Sequence, residues 1–101
     1  MSIEIMARHE QISAASKEYA QTKAMALEAA YQKVSSVKVT LSIEGNLYKA
    51  QVAATVAGTP YIGVFGDDSN LHVAIDEAFG KVDHQIRKQK DKLTEATRGS
   101  L

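Results

Sequence analysis

The chain is predicted to be an α+β domain, a two-layer sandwich of order β-α-β-β-β-α. Two helices cover one face of a four-stranded, mainly antiparallel sheet. Three observations lead there. Apolar residues recur at helical spacing in two stretches, from about Ser13 to Val34 and from about Ser69 or Asn70 to Leu93. Between them, Val37-Lys38-Val39-Thr40-Leu41-Ser42-Ile43 is apolar at every second residue, the period of a half-buried strand. Turn residues at Glu44-Gly45-Asn46-Leu47 and Gly58-Thr59-Pro60 then cut the middle of the chain into strand lengths. Two apolar-striped helices and one sheet bury their faces most simply as two layers.

The elements follow in order. Ser2-Ile3-Glu4-Ile5-Met6 alternates and forms a short first strand. Ser13 caps a helix whose apolar positions are Ile12, Tyr19, Ala20, Leu27, Ala30, Tyr31 and Val34. The strand from Val37 follows, then a third strand near residues 48–57. Tyr61-Ile62-Gly63-Val64-Phe65 makes the fourth, and Pro60, which has no N–H for a ladder, puts it at an edge or starts it. The last helix buries Leu71, Ile75, Ala78, Phe79, Val82, Ile86 and Leu93, which share a sector of about 100°. The helical crossover makes strand two parallel to strand one. The chain of 101 residues is one domain, residues 1–95, with a short tail at 96–101 expected to be disordered.

Composition excludes several classes. Cysteine is absent, which removes disulfide scaffolds, thiolate metal sites and thiol nucleophiles. Charged residues early in the chain (Glu4, Arg8, Glu10, Lys17, Glu18) do not fit a signal peptide, and no apolar run nears the roughly 20 residues of a membrane span. A cytoplasmic location without membrane contact is the expectation. His9, His72 and His84 match no metal spacing, and Asp67-Asp68 suits a turn at a helix start better than a metal pair. Ser13 and Ser35-Ser36 have no base partner in a motif, and the scattered glycines form no phosphate loop. No enzyme, cofactor or small-molecule substrate is expected.

Charge is balanced overall, twelve basic against twelve acidic residues, yet residues 81–101 hold six of the twelve Lys and Arg. Residues 67–80 carry only acids, Asp67, Asp68, Asp76 and Glu77. Helix dipoles favour this order, and lysines at a helix C-terminus are ordinarily solvated. Dipole compensation needs no particular face, however, and Lys81, Lys88 and Lys92 fall within about 40° of one another on the far side of the helix. Arg87 and Lys90 sit on the other flank with Asp83 between them, and His84 lies beside the lysine face. A local cationic field of this kind points to a polyanion, above all a nucleic acid. Lys23 falls among apolar positions between Tyr19 and Leu27, where its stem either snorkels past the core or lines a groove between the helices. Tyr19, Tyr31, Phe65 and Phe79 fit core positions, whereas the faces taken by Tyr48 and Tyr61 are open.

Three stretches resemble the ribosome hibernation-promoting factor family in its short form, which includes the ribosome-associated inhibitor. They are Asn70-Leu71-His72-Val73-Ala74-Ile75-Asp76, the basic segment Lys81 to Leu93, and the strand Val37 to Glu44. The resemblance runs from residue 1 to about residue 93. It implies a translation inhibitor of starved or stationary cells that occupies the messenger- and transfer-RNA channel of the small ribosomal subunit. Its partners would be that subunit and its ribosomal RNA, with a ribosome-dimerising protein as a further one. Carried over by position, Lys81, Lys88, Lys90 and Lys92 match basic family positions in the second helix, and Lys17 and Lys23 match them in the first. Arg87 adds charge where the family varies. His84 stands for a family arginine, His72 for a tyrosine and Ala26 for a lysine. The extra domain of long members and the acidic tail of the inhibitor branch are not expected. The RNA-binding set is therefore Lys17, Lys23, Lys81, His84, Arg87, Lys88, Lys90 and Lys92. The rival readings are a non-ribosomal interaction module or small homodimer, and a binder of free double-stranded RNA. A contiguous apolar patch on the open sheet face would favour the interaction module.

Overall fold

The computed structural model describes the backbone of residues 2–99 and the side chains of residues 2–89. Its elements are β1 (Ser2–Ala7), α1 (Ala14–Ala30), β2 (Val34–Glu44), β3 (Leu47–Val56), β4 (Thr59–Asp67) and α2 (Leu71–Gly99). The sheet order is β1-β2-β3-β4, with β1 parallel to β2 and the other pairs antiparallel. α1 packs on β1 and β2, α2 packs on β3 and β4, and the helices touch each other. This is the architecture expected from the sequence.

Local chemistry accounts for the boundaries. The Ser13 hydroxyl accepts from the Ser16 N–H at 3.1 Å and caps α1. At the other helix, Asn70 Oδ1 accepts from the His72 N–H at 2.7 Å, so Asn70 is the cap. Asp67 Oδ2 holds the preceding turn by accepting from the backbone N–H groups of Ser69 and Asn70. Both hairpins use two-residue turns. Gly45 (φ +59°) leads the first; Ala57 (φ +52°) and Gly58 (φ +82°) make the second, the positive-φ pair that matches strand twist.

Two boundaries depart from the sequence reading. α1 stops at Ala30 rather than near Val34, and Val34 instead opens β2, buried and paired with Val56. The cause is a bulge at Ser35, where β2 advances two residues (Val34 to Ser36) against one on β3 (Val56 to Thr55). The extra residue turns Val34 and Val37 to the same face, a spacing of three that imitates helical periodicity. α2 runs to Gly99, past the end expected near Leu93. The tail assigned to 96–101 and the buried position given to Leu93 lie outside the described side chains.

One face of the sheet carries Val37, Val39 and Leu41 of β2 and Ala50, Val52 and Ala54 of β3, all buried beneath the helices. Tyr48, Tyr61 and Phe65 join this face as partly buried residues packed on the core, which settles the side taken by both strand tyrosines. α2 buries Leu71, Ala74, Ile75, Ala78, Phe79, Val82 and Ile86. It crosses β4 directly over Gly63. A Cβ there would collide with the Ala78 carbonyl oxygen and press at 3.1 Å on Lys81 Cβ and Val82 Cγ2.

These contacts give two stability predictions, both read by chemical denaturation. Gly63→Ala should cost at least about 2 kcal/mol, because backbone must move to admit the methyl. Ala57→Asn should add about 0.5–1 kcal/mol, since asparagine tolerates the left-handed conformation that alanine resists.

Candidate nucleic-acid interface

The helix layer carries the residues in question, and tertiary contacts sort them into bound and unbound cations. α1 and α2 meet along a seam of polar residues rather than a purely apolar one. Tyr19 of α1 donates its hydroxyl proton to Asp76 of α2, and Lys23 lies 3.4 Å from the same carboxylate. Further along, the Tyr31 hydroxyl donates to Asp83 Oδ1 at 2.6 Å, and Arg87 Nε lies 3.0 Å from the other Asp83 oxygen. The two acids are seven residues apart on α2, two turns, so both project toward α1. His72 stacks on Tyr19, ring centroids 4.5 Å apart and planes within 9°.

This geometry shifts the phenols. Tyr31 is pushed up from 10.0 to about 12, first by burial, then by the hydrogen bond and negative charge of Asp83, with Arg87 opposing. Tyr19 is raised first by its hydrogen bond to Asp76, then by burial and the charge of Asp76. Asp67 is held below the usual carboxylate value by the Ser69 hydroxyl and the Ser69 and Asn70 N–H groups.

Lys23 therefore does line the groove between the helices, but its ammonium turns to Asp76 instead of outward. Lys81 is also engaged. It donates to the Val64 carbonyl at 2.9 Å, and its ammonium lies 5.2 Å from the centre of the Phe65 ring. Gln85, one turn on, donates to the Ile62 carbonyl at 2.9 Å. β4 is an edge strand, so these side chains satisfy carbonyls that no neighbouring strand can reach. Lys81 is thus folded over the sheet edge and does not stand on a free lysine face with Lys88. Lys88, His84 and Lys17 are exposed. Arg87 is exposed as well while paired to Asp83. The side chains of Lys90 and Lys92 lie outside the described residues.

The sheet cations contrast with these. Lys38 pairs with Glu4 at 3.9 Å and Lys49 with Glu44 at 3.5 Å, both on the open face. Among the described residues, Lys17, Lys33, Lys81 and Lys88, together with Arg8 after β1, have no carboxylate partner, and of these Lys81 is held by the Val64 carbonyl. Lys33, beyond the end of α1, is outside the set expected from the sequence, because its position in an irregular link carries no periodic signal. On the open face Leu47 is exposed beside Gly66 of β4. Ile62 and Val64 are exposed at one edge and Met6 at the other, and the ladder Met6–Thr40–Gln51–Val64 puts two polar residues between them. Among the described residues no three His, Asp or Glu side chains converge as metal ligands, and no helix is long and apolar enough to cross a membrane.

Residues 3–94 match the family described as Sigma 54 modulation protein / S30EA ribosomal protein. The chain belongs to this family. Curated relatives of the S30EA chain include a protein named ribosome hibernation promoting factor from Pseudomonas putida, 22% identical over 100 residues, covering 99% of this chain and 97% of that one. A protein of the same name from Azotobacter vinelandii is 25% identical over 99 residues, covering 98% and 92% respectively. Among solved structures, the N-terminal domain of Protein Y from Thermus thermophilus superposes with a TM-score of 0.73 at 27% identity, over 87% of this chain and 98% of that one. A ribosomal subunit interface protein from Coxiella burnetii shares the fold at a TM-score of 0.78 and 18% identity, over 90% and 99%. The S30EA match runs from within β1 to residue 94 of α2 and so takes in all six elements, close to the extent of the sequence resemblance.

The seam makes an alkaline prediction. Folding holds the Tyr31 proton more tightly than the unfolded chain does, so its contribution is complete below about pH 10 and is lost as pH rises toward about 12. Spectroscopic titration of tyrosinate should show Tyr31 ionising late. Tyr31→Phe should lose that late-titrating group and flatten the alkaline loss of stability; an unchanged alkaline profile would contradict the assignment.

Proposed function

We propose that this protein is a ribosome-binding translation inhibitor of the hibernation class. It acts by lodging in the messenger- and transfer-RNA channel of the small ribosomal subunit. The observation that carries this reading is the family match over residues 3–94, reinforced by relatives named for ribosome hibernation along nearly their whole length. The distribution of cations supports the manner of binding. The sheet-face lysines Lys38 and Lys49 pair with Glu4 and Glu44, and Lys23 and Arg87 of the helix layer pair with Asp76 and Asp83, whereas the lysines with no carboxylate partner among the described residues lie on the helix layer and its ends. In this reading the helix layer is the side that faces ribosomal RNA phosphates.

Such contacts position a protein by charge and shape, with little reading of base sequence. The cation set is Lys17, Arg87, Lys88, His84, Lys90 and Lys92, with Lys23 and Lys81 acting from within the fold. Asp76 neutralises Lys23, and the Val64 carbonyl fixes Lys81, which adds local positive potential more than a mobile phosphate contact. Occlusion requires no cofactor and no bond-making chemistry. It needs a rigid body, and the Tyr–Asp links between the helices supply stiffness where the RNA would press.

Cosedimentation with separated ribosomal subunits over a salt series tests this reading, with free duplex RNA as competitor. The protein should pellet with the small subunit and dissociate as salt rises. Lys17→Glu combined with Lys88→Glu should weaken binding and reduce the salt slope by roughly one for each phosphate no longer neutralised. Lys38→Glu, on the opposite face, should leave binding unchanged. Protein that remains in the supernatant at low salt would end the ribosome reading, and full competition by free duplex would favour a double-stranded RNA binder.

A further inference from the structure

Where the C-terminal end of α1 meets the β3–β4 turn and α2, the protein has a cleft of about 760 Å³. Its apolar lining comes from Ala30, Val56 and the buried Ile86, and two aromatic rings, Tyr31 and Tyr61, contribute to it. Gln32, Lys33 and Gln89 are exposed residues that border the same space. A volume of this order, with an apolar lining and a few polar groups, suits a small planar ligand.

Three features narrow the occupant. Among the described residues the lining contains no carboxylate, although the chain has as many acids as bases. Asp83, an acid bonded to a lining residue, is engaged by the Tyr31 hydroxyl and by Arg87. Among the described residues Lys33 has no carboxylate partner, and Lys88 precedes Gln89 on the same stretch of α2, so both can favour an anionic ligand at this end of the molecule. Aromatic rings offer stacking, which every nucleobase can use, and the glutamine amides can both donate to and accept from base edges. The Tyr31 ring is held in place through Asp83 rather than free to fill the space. Duplex RNA keeps its bases stacked and out of reach, whereas a single strand presents them.

We propose that this cleft receives the base of an unpaired RNA nucleotide, with the adjoining phosphate against Lys33. The proposal rests on the ribosomal RNA reading and refines it. Binding through phosphates alone becomes binding that also selects for an unstacked nucleotide.

Hexamers of adenosine and of uridine, and a duplex RNA of equal length, can be titrated into the protein while backbone amide shifts are followed. The single strands should shift Val56, Ala57 and Thr59, and the duplex should not. Tyr61→Leu should weaken hexamer binding about tenfold because the stacking platform is gone. Because Tyr61 packs on the core, Lys33→Glu serves as an exposed second variant that should weaken hexamer binding without affecting the fold. Unchanged hexamer affinity in Lys33→Glu, or shifts confined to the surroundings of Lys17 and Lys88, would overturn the cleft proposal. Cleft shifts with the hexamers in a protein that fails to pellet with ribosomes would support the cleft and sink the ribosome reading separately.

Discussion

Close packing of α2 on the sheet governs most of what the surface presents. Small residues make that approach possible: Gly63, Ala50 and Ala54 on the strands, Ala74 and Ala78 on the helix. With backbone nearly touching backbone at Gly63 and Ala78, side chains on either flank of α2 fall within reach of their neighbours. On one flank Lys81 and Gln85 reach the outward carbonyls of β4. On the other, Asp76 and Asp83 reach the phenols of α1. A helix held even one side-chain layer further out would make neither set of bonds.

Those two sets of bonds decide which charges of a neutral composition are engaged within the protein and which are left to solvent. The seam consumes two carboxylates, two tyrosines, Lys23 and Arg87 in interactions internal to the protein. The open face pairs Lys38 and Lys49 with glutamates of adjacent strand positions. What remains without a carboxylate partner among the described lysines lies on the helices and their ends. Net charge describes a sum, whereas a polyanion meets what local pairing leaves over. Surface pairs of this kind contribute little to stability, so their effect is chiefly to direct where a partner can bind.

The β4 edge and the α1–α2 end show how one helix does two jobs. Edge strands invite pairing with foreign strands, and here Pro60, Lys81 and Gln85 all act against it. The same helix, at Ile86 and Gln89, borders the cleft beside Tyr31 and Tyr61. Protection of the edge and shaping of the cleft thus depend on one packing geometry.

Much of this was legible in the linear chain. Alternation in Val37–Ile43, the helical stripes, the cap at Ser13 and the turn residues specified element order, the sheet's parallel and antiparallel pairs, and the shared face of both helices, because periodicity reports burial directly. The family resemblance lay in the same segments. Local periodicity failed at Val34, where a bulge in β2 creates a spacing of three on one strand face. It also could not tell a free lysine from an engaged one. Lys81 and Lys88 occupy equivalent positions on a helical wheel, yet a strand edge 17 residues earlier in the chain binds the first and leaves the second exposed. Lys23 and Asp76 are likewise brought together only by the docking of two helices. Helix and strand patterns are local properties of the chain, but the state of a charge depends on what folding sets beside it. That is why the sequence determined the scaffold and the location of the basic segment, while tertiary structure decided which cations remain free to meet a partner.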